Sequence, residues 1–430
     1  MPTTARAANA ATVLRAVLLH GPVPRTRIAE LSDLSPATVT RLYPPLAERR
    51  LLRELEGPDA GQTLGRPRVP VDLDVSGWVA LGVHLGVRRS VVGALDLRGR
   101  LLGAGEVEHE DGAGPETVIG QACERLRALH ARVAGRRRVL GLGVITGGRG
   151  DVEAGRASEQ SGFDWPEKEL RAAFARRINL ASGIGPGVGS GTGPTSGSGT
   201  DISTTPIPAP PIFVDEHVRA MAIAESLFGR AKRARSLGYL YVGSVLGFAY
   251  SADGAVHRGS RAAAGEIAHL PLGLVPQQHA EGTAPADSVP CTCGSRDCFL
   301  ALAGERGVAE RAVDLGVVPE ARIDLVLKAA RAGDDRAVRL LRDRARNVGS
   351  AVAVLLGILD PELFVVAGRG LTEASEYLSD LRAGVRERLR GALPVPIVPT
   401  AFGAQVDAVA AASVVIDRVV RDPLAVRVPR

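Results

Sequence analysis

Apolar positions in the first twenty residues fall at helical spacing, with Leu14, Val17 and Leu18 on one stripe. A second short helix is predicted over Pro24 to Leu31, a turn at Ser32-Asp33-Leu34, and a third helix from Ala37 to Arg49, with Ser35 as N-cap and Pro36 at the first helical position. The segments LLRELE and LGRPRVPVDLD then read as a two-stranded wing around a Gly-containing loop. From about Trp78 the pattern changes to apolar strands, WVALGVHLG and SVVGALDLRGRLLG, with a hairpin at Leu97-Arg98-Gly99. A helix over Pro115 to Ala134 and a buried strand, VLGLGVI, follow. This strand, strand, helix, strand order is the grammar of an α/β domain.

Residues Ala181 to Pro211 form a Gly/Ser/Thr/Pro tract without periodicity, which reads as a flexible insertion because it has too little apolar surface to bury. The strand IFV and a helix from Glu216 to Arg230 resume the alternation. GYLYVGSVLGFAYSADGAV reads as two strands with a turn at Ala252-Asp253-Gly254. The chain is then mostly helical from Glu305 to Leu359, with strands at LFVVAG and VPIVPT and a last helix from Ala404 to Val420. The order suits two similar α/β halves. The expected division is a winged helix-turn-helix over 1–74 and a second unit over 75–430, with the insertion at about 181–211.

At 430 residues the chain has room for a large core, and with aromatics at only 3% that core rests on Val, Leu, Ala and Ile. No apolar run approaches the roughly 18 residues a membrane crossing needs, and the start lacks the form of a signal peptide, so a cytoplasmic protein without a membrane partner is expected. The net charge is +6, and almost every basic residue is Arg, interrupted only by Lys168, Lys232 and Lys328. That balance is compatible with a polyanionic partner.

The small Ala29, the turn residue Asp33 and the apolar Val39 stand where a helix-turn-helix needs close packing, a left-handed turn and a core contact. Such a motif presents Ser35, Thr38, Thr40 and Arg41 to base edges, sets Arg25 and Arg27 near phosphates, and carries Arg66 and Arg68 at the tip or base of the wing.

CTCGSRDC places Cys291, Cys293 and Cys298 in one tight loop. Adjacent thiolates at this spacing bridge each other poorly but can share a tetrahedral ion, with His269 of GEIAH or His279 as fourth donor. Four protein ligands close the shell, so a zinc held there is structural. Cys123, alone on an apolar helix face, reads as a core residue.

The helix-turn-helix, GEIAH and CTCGSRDC together resemble the DNA-binding branch of the ROK family of repressors, open reading frames and sugar kinases. The resemblance covers nearly the whole chain apart from the Gly/Ser/Thr/Pro tract and the stretch from Leu272 to Pro290. It implies a two-lobed, actin-like sugar-kinase fold (ribonuclease H-like) with a cleft, zinc on His269, Cys291, Cys293 and Cys298, and sugar-facing positions at Gln160, Glu216, His217, Glu266 and His269. Kinases of the family carry an Asp-x-Gly-Gly-Thr phosphate loop, and the matching stretch here is His84-Leu85-Gly86-Val87-Arg88, without the acid, the second Gly or the Thr. The family's Asn-Asp pair, which supplies the base, matches Glu216-His217, and the Glu usually two residues after the third Cys is Leu300. The resemblance therefore implies a non-enzymatic regulator, a homodimer or homotetramer on operator DNA, whose effector is a sugar or sugar derivative and whose metal-braced loop passes lobe movement to the heads. A ligand-blind regulator and an ATP-dependent sugar kinase are the alternatives.

Overall fold

The computed structural model describes residues 4–428 apart from 56–68, 87, 111, 134, 136, 152–153, 159–168, 179–209, 272–289, 292, 372–375 and 390–394. At the N-terminus, Thr4 caps α1 (Ala5–His20), which buries Ala10, Val13, Leu14, Val17 and Leu18. A two-residue strand β1 (Val23–Pro24) precedes α2 (Arg25–Ser32), so Pro24 stands just before the second helix rather than inside it. Asp33 takes the left-handed conformation at φ 53°, and Ser35 accepts the Thr38 amide to start α3 (Pro36–Glu48). An αL turn costs Asp less than most residues because its short polar side chain tolerates it. The strands β2 (Leu52–Glu54) and β3 (Pro70–Leu73) pair antiparallel, and β1 adds to β3, so the ribbon has a third strand the pattern does not reveal. The loop between β2 and β3, with Arg66 and Arg68, lies outside the described residues.

The first lobe consists of β4 (Trp78–Leu85), β5 (Arg89–Leu95), β6 (Leu101–Glu108), α4 (Pro115–Val133), β7 (Arg138–Thr146), a ribbon of β8 (Arg149–Asp151) with β9 (Arg156–Ser158), α5 (Leu170–Arg177), β10 (Ile212–Glu216) and α6 (His217–Leu227). Its sheet order is β10-β7-β4-β5-β6, an antiparallel meander extended by two parallel strands. The second lobe repeats this plan with β11 (Ser236–Val242), β12 (Leu246–Ala252), β13 (Ala255–Val256), α7 (Phe299–Ala303), α8 (Glu305–Asp314), α9 (Ile323–Arg331), α10 (Asp335–Leu359), β14 (Leu363–Ala367), α11 (Glu376–Arg388), β15 (Ile397–Pro399) and α12 (Val406–Arg421). Its sheet runs β13-β12-β11-β14-β15, with the same mixture of pairings. The turn at Ala252-Asp253-Gly254 does not join the two long strands as expected. They meet at Gly243, whose amide donates to the Val245 carbonyl, and the later turn leads into β13.

The layers follow from three apolar clusters. One lies between α4, α5 and the first sheet, one between the second sheet and α7 to α11, and the third binds α6, α12, the inner sheet faces and the N-terminal head. The helix α12 crosses the first sheet closely enough that a Cβ on Gly82, Gly93 or Gly143 would strike the helix at Ala411, Ala408 and Ala411 respectively. Glycine on the strands and alanine on the helix are therefore one packing solution. The head is tied on by Trp78 Nε1 donating to the Arg49 carbonyl at 2.7 Å and Arg49 Nε donating to the Leu424 carbonyl at 3.2 Å, beyond the end of α12. No described helix is long and apolar enough to cross a membrane. The 181–211 tract lies outside the described residues except for Pro210 and Pro211.

Candidate functional site

On the head, Ser35, Thr40 and Arg41 are exposed along α3 and Thr38 is half-buried. The Ser35 and Thr38 hydroxyls lie 2.9 Å apart in the cap, and Thr40 Oγ1 donates to the Pro36 carbonyl at 2.9 Å. Two arginines expected near phosphates are engaged within the head. Arg25 pairs with Glu54 at 2.7 Å and stacks 3.9 Å above the Tyr43 ring, while Arg27 pairs with Glu30 at 2.6 Å. The Arg27 pair is exposed on both sides, so an incoming phosphate can compete for it at little cost.

Between the lobes, the short turn after β4 brings the Gly86 amide to the Arg89 carbonyl at 3.1 Å and leaves His84 at the strand end. His84 Nδ1 is 3.7 Å from Asp407 Oδ2 at the start of α12, and Arg89 Nη2 is 3.8 Å from the same oxygen. Glu216 caps α6 by accepting the Val218 and Arg219 amides, each at 2.9 Å, and stands 2.9 Å from His217 Nδ1. The His217 ring lies 5.9 Å from that of His84 and edge-on to Tyr241 at 5.3 Å. Burial lowers the His84 pKa despite Asp407. Burial would lower His217 too, but Glu216 and Asp407 outweigh it and raise the value, and in return His217 and Arg219 hold Glu216 low. Among the buried atoms of this group, His84 Nδ1 and Asp407 Oδ1 make no hydrogen bond.

Behind this group, buried Asp215 receives Arg219 Nε at 3.1 Å and Arg258 Nη2 at 2.5 Å. Arg219 Nη1 also donates to the Ala262 carbonyl at 3.0 Å, which ties α6 to the loop carrying Glu266 and His269. Asp417 of α12 adds to the field on Arg258 and pairs with Arg421 at 2.7 Å. Arg421 Nη2 in turn donates to the Gly254 carbonyl at 2.7 Å, and a Cβ at Gly254 would collide with the guanidinium of Arg15 on α1. A small cavity at this junction of head and lobes is lined by Arg15, Gly254, Asp417 and Arg421.

The third group is the cysteine loop. The donor atoms of His269, Cys291, Cys293 and Cys298 all lie within 4.8 Å of one another, so the cluster can hold a metal ion. Cys291 Sγ is 3.6 Å and Cys298 Sγ 4.0 Å from His269 Nδ1, and Cys293 Sγ is 3.9 Å from Cys298 Sγ. Zinc–sulfur bonds of 2.3 Å in a tetrahedron require donor separations of about 3.7 Å, which matches, whereas a disulfide does not. Burial and the neighbouring thiols push Cys298 up to about 12, a penalty on thiolates that a bound dication removes. His279 lies outside the described residues. Cys123 is buried in the core of the first lobe, as expected.

The structure thus brings Glu216 and His217 together and joins His269 to the cysteines. Glu266 is exposed on the loop, and Gln160 lies outside the described residues. Asp407, Tyr241 and Arg89 were not singled out from the sequence, since nothing in the local pattern points from α12 or β11 to the cleft.

A helix-turn-helix head on a two-lobed α/β body with a repeated sheet plan is the architecture of a DNA-binding protein built on a sugar-kinase fold. The chain belongs to the ROK family, which residues 208–418 match. It is 33% identical to transcriptional regulator Rv0485 of Mycobacterium tuberculosis over 96% of this chain and 86% of that protein. It is 25% identical to the xylose repressor of Caldicellulosiruptor bescii, over 88% of each. A ROK family transcriptional regulator, a homologue of the Escherichia coli MLC protein, superposes with a TM-score of 0.73 at 21% identity over 97% of both chains. A ROK glucokinase of Streptomyces griseus superposes at 0.61 and 22% identity over 98% of its own length but 78% of this chain.

Proposed function

We propose that this chain is a sugar-responsive transcriptional repressor that binds operator DNA and does not transfer phosphate. The observation that carries the reading is the pairing of two features. The helix-turn-helix is complete, with its cap and αL turn in place, while the position of the phosphate loop is a tight turn ending in a His84–Asp407 contact. A triphosphate needs backbone amides and an acid-held metal there; the stretch His84-Leu85-Gly86-Val87-Arg88 lacks the acid, the second Gly and the Thr, and its Gly86 amide is already bonded to the Arg89 carbonyl.

In this reading residues 1–74 bind DNA and residues 75–430 bind the effector and form a homodimer or homotetramer, so that two heads meet an inverted repeat. Ser35, Thr38, Thr40 and Arg41 face bases, with Arg25, Arg27, Arg66 and Arg68 toward the backbone. Glu216, His217, Glu266, His269 and Gln160 face the sugar, and a structural zinc sits on His269, Cys291, Cys293 and Cys298. Supporting the sugar response is a relative named for xylose repression. The head rests on α12 and the Gly254 turn, which supports a route for the signal through α12 rather than through the metal-braced loop.

Fluorescence anisotropy on labelled DNA from the upstream region of the gene, with and without glucose, xylose and N-acetylglucosamine, tests this reading. Salt-sensitive specific binding that one sugar weakens is the expected result. Absence of specific binding, or sugar-dependent ATP consumption in a coupled assay, overturns it.

A further inference from the structure

We infer that α3 reads DNA by a division of labour: Arg41 recognises a guanine, the methyl groups of Ala37 and Thr40 recognise thymine beside it, and the Ser35–Thr38 pair holds a phosphate. The inference rests on the repressor reading and deepens it, because it states the class of sequence that the head selects.

The outward face of α3 is mostly apolar. Its exposed residues are Pro36, Ala37, Thr40, Arg41, Pro44 and Glu48. Ala37, Thr40, Arg41 and Pro44 recur at i, i+3, i+4 and i+7, so they line one side of the helix. Glu48 stands about 10 Å further along the axis than Arg41, away from the N-terminal residues that reach base edges in a helix-turn-helix.

Hydrogen bonds within the helix decide what each polar side chain has left to offer. Thr40 Oγ1 donates to the Pro36 carbonyl at 2.9 Å, so its one donor hydrogen is spent and its methyl is left for a partner. Ser35 Oγ accepts the Thr38 amide at 3.2 Å, and the two hydroxyls lie 2.9 Å apart, so one donates to the other and a single donor hydrogen remains. That hydrogen sits at the helix start, where the dipole favours an anion, and a phosphate oxygen suits it. Arg41 differs from both. It makes no hydrogen bond or ion pair with any described residue, whereas Arg25 and Arg27 are paired with Glu54 and Glu30.

In the major groove a guanidinium fork matches the O6 and N7 acceptors of guanine, and a side-chain methyl packs on the C5-methyl of thymine. Adenine calls for Asn or Gln and cytosine for an acid, and the first turns of α3 carry none of these. Along the axis Arg41 is about 1.5 Å from Thr40 and about 6 Å from Ala37. Against a rise of about 3.4 Å per base pair, thymine should lie within about two pairs of the guanine.

Selection of duplexes from a random library by the full chain, followed by anisotropy titrations of the enriched duplex, tests the inference. The expected half-site holds a guanine with at least one thymine within about two base pairs. Replacing that guanine by 7-deazaguanine, which lacks N7, should weaken the wild type roughly tenfold or more, while Arg41→Ala, already weakened, loses nothing further. Replacing the thymine by uracil, which lacks the methyl, should weaken the wild type roughly threefold. Thr40→Val, which keeps the methyl, should bind more tightly than Thr40→Ser, which keeps the hydroxyl. An enriched half-site without such a guanine, indifference to either base analogue, or tighter binding by Thr40→Ser overturns the division of labour and leaves the repressor reading standing. If the library yields no enriched sequence, both fall together.

Discussion

Glu216 uses one carboxylate to satisfy the first amides of α6 and to face His217, so a single residue sets both the helix start and the polarity of the cleft. The pair also predicts a pH window. His217 is raised in the folded state, so its contribution is complete below the ordinary imidazole value of 6.5 and is lost as pH rises through the raised value. Glu216 is lowered, so its contribution is complete above the ordinary value of 4.5 and is lost as pH falls through the lowered one. His84, lowered by burial, acts in the opposite sense: its penalty on folding is relieved as pH rises from the lowered value to 6.5 and is gone above it. The melting-temperature difference between wild type and His217→Asn should therefore peak between pH 4.5 and 6.5 and shrink on either side. A flat difference across that range would remove the ion pair from the account. At the metal cluster, plasma mass spectrometry should find one zinc per chain in the wild type. Cys291→Ser should lose it, with a fall of several degrees in melting temperature that strong chelators reproduce.

At the level of elements, Ser35→Ala should cost about 1 kcal/mol, read by denaturant unfolding, because the Thr38 amide loses its side-chain acceptor at the start of α3. Gly143→Ala should cost more, about 1–3 kcal/mol or failure to fold, since the added Cβ meets the Ala411 carbonyl of α12 and a packed backbone gives little. Much of the first lobe was legible because its strands are bounded by turn residues and its helix α4 keeps a strict apolar stripe. The strand β13 and the turn at Gly243 were not, since YVGSVLGFAY reads as one apolar run and Asp253-Gly254 is the stronger local turn signal. The helix α11 was also hidden. Its arginines weaken the apolar stripe, and Gly384, which reads as a breaker, is what lets the helix press against Arg346 of α10. The cysteine cluster was legible from spacing alone, with His269 and His279 as candidate fourth donors; the structure brings His269 to the cysteines, and His279 lies outside the described residues. Asp407 lies some 190 residues beyond His217, so only the return of α12 across the first sheet could place it in the cleft.

For the whole molecule the question is how a change between the lobes reaches the head. The cleft pair adjoins Asp215, which holds Arg258, and Arg258 shares the field of Asp417, which holds Arg421. Arg421 then grips the Gly254 carbonyl beneath Arg15 of the head. Asp215–Arg258, Asp417–Arg421 and Arg421–Gly254 are charge-assisted contacts, while Asp417 reaches Arg258 only through its field, so the series is polar where elements meet. Coupling of this kind is a free-energy difference between lobe arrangements and must be measured as such. Gly254→Ala forces Arg15 away from the turn, and Arg421→Ala frees the turn from α12, yet neither touches α3 or the cleft. Both variants should keep operator affinity within about threefold and sugar affinity likewise, while the sugar-induced loss of DNA binding shrinks toward none. Anisotropy titrations at saturating sugar measure this directly. If both variants release DNA as fully as the wild type, the signal does not travel through Arg421 and the Gly254 turn, and the Trp78 and Arg49 contacts to the head become the place to look next.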